Sequence, residues 1–183
     1  GDEVLVPAVA WSTSLFPVSQ LGLVPVIVDV CPQRLCMDPK AAEKAMGPRT
    51  KAAIVVHLLG QAADIAALEK LGLIVIEDAC DSINFHHFEF SAQIGAQKVG
   101  SLGRLGTFSF FFSHHITTVE GGIVVCSNPA LLDIARSLRA HGWVREMESR
   151  EMHAAANPEI DDRFLFVTAG WNLRPTEMAA AMG

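Results

Sequence analysis

Short runs rich in Val, Ile and Leu recur along the chain with helix-like stretches between them, and most of the runs lack strict alternation of apolar and polar residues. Strands with that pattern are apolar on both faces, which is the mark of a mainly parallel sheet covered by helices on each side. The runs are Glu3 to Val9, Val24 to Val30, Ala52 to His57, Leu73 to Glu77, Thr107 to Phe112 and Gly122 to Cys126. Helices are predicted over Ser12 to Leu21, Asp38 to Met46, Asp64 to Lys70 and Pro129 to Arg139. Asp38 and Asp64 stand where N-caps belong, and Gly72 follows the third helix as a stop. The stretch from Asn84 to Gln97 reads as a loop or a ragged hairpin. The fold expected is therefore a three-layer α/β arrangement around a mainly parallel sheet.

No repeat or linker divides the 183 residues, which amount to one domain or a large part of a bigger one. With 50% hydrophobic and 19% charged residues the chain can build a sizeable core. It has no stretch near the roughly 20 apolar residues that span a bilayer. Fourteen basic against twenty acidic side chains give a net charge of -6, with the basic residues scattered. That leaves no electrostatic footprint for nucleic acid, and no membrane partner is expected either. Cys31, Cys36, Cys80 and Cys126 form no CxxC pair and read as reduced thiols, so a cytoplasmic location is expected. The chain opens on Gly1 and stops within a helix-prone Ala180-Ala-Met-Gly183, and both ends look cut.

In sheets of this kind ligands bind beyond the carboxyl ends of the strands. The strand Leu73 to Glu77 ends in Glu77-Asp78-Ala79-Cys80-Asp81, Thr107 to Phe112 runs into Ser113-His114-His115, and Ala52 to Val56 runs into His57. Two carboxylates and an imidazole thus arrive where a site belongs. Asp78 is either a helix cap or a carboxylate that holds a proton on a heterocyclic nitrogen. The segment from Ser109 to Gly122 gathers hydroxyls, His114, His115 and a glycine pair that permits the positive φ and close backbone approach a bound ligand requires. Zinc held by His114, His115, His86 and His87 is the rival reading, but adjacent histidines on extended backbone point to opposite faces and no spaced third ligand is evident.

Several segments carry a resemblance. Gly1-Asp-Glu-Val-Leu-Val-Pro-Ala, Val28-Asp29, Pro48-Arg-Thr-Lys-Ala, His57-Leu-Leu-Gly-Gln, Ile76-Glu-Asp-Ala, Gly100-Ser-Leu-Gly, Phe108-Ser-Phe, Glu120-Gly-Gly and Trp171-Asn-Leu-Arg-Pro-Thr-Glu resemble the DegT/DnrJ/EryC1/StrS group of nucleotide-sugar aminotransferases, in order and across the chain. The resemblance implies a pyridoxal-phosphate enzyme of fold type I. It further implies that residues 1–183 are part of the large cofactor domain, without the upstream phosphate-binding loop and the C-terminal domain of proteins about twice as long.

One departure sets the expected chemistry. Where the aminotransferases of the group carry the lysine that bonds the cofactor, this sequence has His114, and its five lysines, Lys40, Lys44, Lys51, Lys70 and Lys98, all lie upstream of that strand. An imidazole cannot make that covalent attachment, but it moves protons near neutral pH. Ser113-His-His-Ile-Thr and Ala10-Trp-Ser-Thr-Ser-Leu-Phe-Pro-Val18 resemble the dehydratase branch of the group, whose substrates are nucleotide-linked 4-keto-6-deoxyhexoses. The resemblance implies pyridoxal or pyridoxamine phosphate bound non-covalently, glutamate as amino donor, and a homodimer. It assigns Trp11 to stacking on the cofactor ring, Asp78 to the ring nitrogen, Ser109 to the phosphate and His114 to proton transfer. Asp81 falls near the ring hydroxyl or near His114, and Asn172 reaches the phosphate in the partner subunit. Apart from the resemblance, Trp11 reads as a core aromatic and Asn172 as a turn residue. An aminotransferase with altered cofactor attachment and a non-catalytic homologue are the other readings.

Overall fold

The computed structural model describes residues 1–83, 93–94 and 97–183, which form two compact units, Gly1–Val125 and Cys126–Gly183. His86 and His87 lie outside the described residues, as does most of the stretch from Asn84 to Gln97. What is described there is a two-residue antiparallel pairing of β5 (Gln93–Ile94) with β6 (Gln97–Lys98).

The first unit is built on a six-stranded sheet: β1 (Glu3–Pro7), β2 (Val24–Val28), β3 (Thr50–Val56), β4 (Ile74–Asp78), β7 (Leu105–Ser109) and β8 (Gly122–Val125), in the order β2-β1-β3-β4-β7-β8. All neighbours are parallel except β7 and β8. Every apolar run read from the sequence is a strand, with ends moved by at most three residues. The Thr107 to Phe112 run moves furthest, because the chain bends after Ser109 and the His114 N–H closes a turn on the Phe111 carbonyl at 3.0 Å.

The absence of alternation has a simple cause. Leu5, Val28, Met37, Ala53, Val55, Ile65, Leu68 and Val75 pack into one buried cluster, while Val4, Val6 and Val18 pack with Leu15, Leu23, Ala52 and Ile54 into another. Neighbouring residues of β1 and β3 thus enter different clusters, so both faces of the sheet centre are covered. The covering helices are α1 (Ser12–Gln20), α2 (Pro39–Ala45) and α3 (Ile65–Lys70). The Asp38 side chain accepts from the Lys40 N–H at 3.0 Å and Asp64 from Ala67 at 3.0 Å, so both are N-caps as expected. Gly72, at φ +84°, takes the left-handed position that ends α3.

The second unit holds α4 (Pro129–Leu138), α5 (Arg150–Ala156) and α6 (Glu177–Met182). Its polar anchor is Asp133, whose carboxylate accepts from the Glu148 N–H at 2.7 Å and from the Ser149 N–H at 3.0 Å.

Candidate active site

The parallel register of β4 with β7 sets Asp78 opposite Thr107, and the Ala79 N–H donates to the Thr107 carbonyl at 2.9 Å. The carboxyl ends of these two strands therefore bring Asp78, Asp81 and Ser109 to one edge of the sheet. Asp78 caps no helix, because the chain turns directly after it. Instead both of its oxygens are held: Oδ2 accepts from the Ser14 hydroxyl at 2.6 Å and Oδ1 from the Cys80 N–H at 3.2 Å.

Trp11 sits at the N-cap position of α1 and is 75% exposed, so it is no core aromatic. Its carbonyl accepts from the Ser14 N–H at 3.0 Å, which ties the tryptophan to the residue that holds Asp78. The Ser109 Oγ accepts from the Phe111 N–H at 3.2 Å, leaving the hydroxyl hydrogen for an external acceptor.

His114 and His115 sit in a bend rather than on the extended backbone expected. The His114 Nδ1 stands 3.6 Å from Asp81 Oδ1, with both side chains partly exposed. Asp81 thus stands beside His114, one of the two places expected for it. A carboxylate facing Nδ1 leaves Nε2 as the nitrogen that can take or give a proton to an outside group.

The glycine pair Gly121-Gly122 serves this loop in a way not expected. Neither residue has positive φ; a Cβ on Gly121 would stand 2.4 Å from Thr118 Oγ1 and one on Gly122 would stand 2.8 Å from the Phe108 carbonyl oxygen. The close approach is to the protein itself.

His57 and Glu77, expected at the strand ends, are both fully buried and bind each other. The Ala63 N–H donates to His57 Nδ1 at 3.1 Å, so the ring proton is on Nε2, which donates to Glu77 Oε2 at 2.8 Å. Glu77 also accepts from the backbone N–H groups of Gly100, Leu102 and Gly103 at 2.8, 2.7 and 2.6 Å. Burial pushes the Glu77 carboxyl up, but the hydrogen bonds from His57, Gly103 and Gly100 outweigh it and hold the group below its ordinary value. The pair is an anchor one residue behind Asp78, not part of the open site.

Asn172 lies in the second unit, bridged to Ala140, with His141 N–H donating to the Trp171 carbonyl and Leu173 N–H to the Arg139 carbonyl, each at 2.8 Å. The Asn172 Oδ1 accepts from Arg174 Nε at 3.1 Å, so the amide presents its NH₂ as donor. Among the described residues no group of three or more His, Cys, Asp or Glu side chains could hold a metal ion. Ser14 was not singled out from the sequence, where Ser12, Thr13 and Ser14 offer three equivalent hydroxyls.

The family model for the DegT/DnrJ/EryC1/StrS aminotransferase family matches residues 1–183. A GDP-4-keto-6-deoxy-D-mannose 3-dehydratase of Yersinia pseudotuberculosis is 40% identical over 190 residues, covering 100% of this chain and 46% of that protein. The E. coli GDP-4-keto-6-deoxy-D-mannose-3-dehydratase solved with bound hydrated PLP superposes with a TM-score of 0.85 at 35% identity, over 100% of this chain and 46% of that one. A GDP-4-keto-6-deoxymannose-3-dehydratase with a trapped PLP-glutamate geminal diamine gives a TM-score of 0.83 at 34% identity, over 100% and 47%. The chain thus spans just under half the length of these relatives.

Proposed function

We propose that this chain, which belongs to the DegT/DnrJ/EryC1/StrS aminotransferase family, is part of an enzyme that removes the C3 hydroxyl of a nucleotide-linked 4-keto-6-deoxyhexose, using non-covalently held pyridoxal or pyridoxamine phosphate. The observation that carries this reading is His114 with its Nδ1 3.6 Å from Asp81, in the segment where the aminotransferases of the group have a lysine. The similarity to 3-dehydratases over the full chain supports it.

The donor set fits the cofactor. An exposed indole, a carboxylate held from two sides and a hydroxyl with its hydrogen available are the groups that a flat, phosphorylated pyridine needs. Trp11 would lie against the ring, Asp78 would face the ring nitrogen and Ser109 would donate to the phosphate. When bound, the cofactor supplies an amine that condenses with the sugar ketone and a conjugated ring that accepts electrons. The protein supplies the base and the geometry. Asp81, 3.6 Å away, orients the His114 ring while Nε2 moves the proton. Glutamate, seen as an adduct in one structural relative, is the proposed amino donor that restores the amine form.

Coverage of just under half of the relatives supports reading residues 1–183 as part of the large cofactor domain, with a phosphate-binding loop and a C-terminal domain supplied by the remaining half. Thiols at Cys31, Cys36 and Cys80 that form no disulfide fit a reducing compartment such as the cytoplasm. Among the described residues no helix is long and apolar enough to cross a membrane.

The test is a reaction of the full-length protein with cofactor, glutamate and a nucleotide-linked 4-keto-6-deoxyhexose, followed by mass spectrometry. The expected product has lost one oxygen from the sugar, and borohydride treatment of the loaded protein leaves cofactor mass on none of Lys40, Lys44, Lys51, Lys70 or Lys98. An amino sugar that keeps its C3 hydroxyl, or a stoichiometric lysine adduct, overturns the reading in favour of transamination.

Asn172 makes a second test, because the reading gives it to the partner's site. Full-length Asn172→Ala mixed with full-length His114→Asn should recover part of the parent activity, since one hybrid site then keeps both groups. No recovery in verified mixed dimers would count against sharing.

A further inference from the structure

Both oxygens of Asp78 are occupied from one side of the sequence or the other. The local contact is the Cys80 N–H at 3.2 Å, and the distant one is the Ser14 hydroxyl, 64 residues away, at 2.6 Å. Ser14 is 4% exposed and lies in the first turn of α1, where its own N–H is bonded to the Trp11 carbonyl. It is therefore fixed by helix geometry before it meets the carboxylate. The Asp78 side chain is only half-buried. Without Ser14 the carboxylate would have one weak anchor and freedom to swing about its terminal torsion, which is soft.

The geometry assigns Ser14 as a positioning residue that holds the plane of the Asp78 carboxylate toward the nitrogen of a bound heterocycle and ties it to the turn that presents Trp11. This rests on the cofactor reading of Asp78 given above. A carboxylate offers about four acceptor sites, and the two used by Ser14 and Cys80 leave room for one more N–H donor. The contact is charge-assisted and partly shielded from water, the class of hydrogen bond with the larger net worth. It also couples the two faces of recognition: a shift of α1 that moved Trp11 would carry Ser14 away from Asp78.

The experiment compares two rings on the full-length protein, pyridoxal phosphate and its analogue with CH in place of the ring nitrogen, by equilibrium dialysis. The parent should prefer the natural ring. Ser14→Ala should cut that preference about tenfold, by weakening natural-ring binding while leaving the analogue unchanged. A role in packing alone would weaken both rings alike, so equal weakening, or none, overturns the assignment. Should Ser14→Ala fail to fold, Ser14→Cys, similar in size and a poor donor, repeats the comparison. Equal binding of both rings by the parent would overturn the reading of Asp78 itself, and with it the role of Ser14.

Discussion

Replacing His114 with asparagine should lower the rate of C3 deoxygenation by about a hundredfold to ten-thousandfold, the range lost with a positioned general base, while leaving cofactor affinity within a few-fold of the parent. The separation follows from the proposed roles. Ring stacking, the ring-nitrogen partner and the phosphate donor would come from Trp11, Asp78 and Ser109, whereas His114 would contribute an imidazole that stands 3.6 Å from Asp81. Asparagine keeps polarity and most of the volume but cannot exchange a proton near neutral pH. The companion change, His114→Lys, puts back a primary amine. It should yield a cofactor adduct that borohydride fixes at position 114 and should shift the product toward the amino sugar. Deoxygenation by His114→Asn at close to the parent rate would remove His114 from the mechanism.

The second large effect is on stability. Glu77 is fully buried and accepts four hydrogen bonds, one from His57 and three from the backbone of residues 100–103. Glu77→Gln turns one accepting oxygen into an NH₂ group, so buried N–H donors meet a donor. The expected loss is about 3 kcal/mol or more, a large share of a usual total of about 5–15 kcal/mol. The pH dependence has a definite sign. A carboxyl whose folded pKa lies below its unfolded one contributes in full above the ordinary glutamate range, and that contribution disappears as pH falls through the folded value. The resistance of the parent to urea should therefore fall below about pH 4.3, and the variant should lack this part of the decline. A Glu77→Gln protein within about 0.5 kcal/mol of the parent at neutral pH would show that the anchor is not needed.

The strands were legible because burial on both faces writes itself as unbroken apolar runs, and the caps of α2 and α3 because Asp38 and Asp64 act on amides two or three residues away. α5 was missed for the converse reason. It has no buried residue, so no apolar stripe marks Arg150 to Ala156 as a helix. In the site, Asp78, Ser109 and His114 could be placed because parallel topology sends strand ends to one edge. Ser14 could not, since its partner is 64 residues away and its two neighbours carry the same group. Glu77 and Asp78 are adjacent carboxylates, and only the loop that packs against β4 decides which of them is sealed in.

That loop also has a place in time. The strand holding Glu77 leaves the ribosome before the amides of Gly100, Leu102 and Gly103, which follow it by 23, 25 and 26 residues. At roughly 5–20 residues per second, a nascent β4 spends about one to five seconds with His57 as the only one of the four donors already made. Closing β4 into a dry interior during that interval would leave the Glu77 carboxyl three donors short, a costly arrangement. The buried carboxylate thus ties the full stability of β4 to the segment that leads into β7.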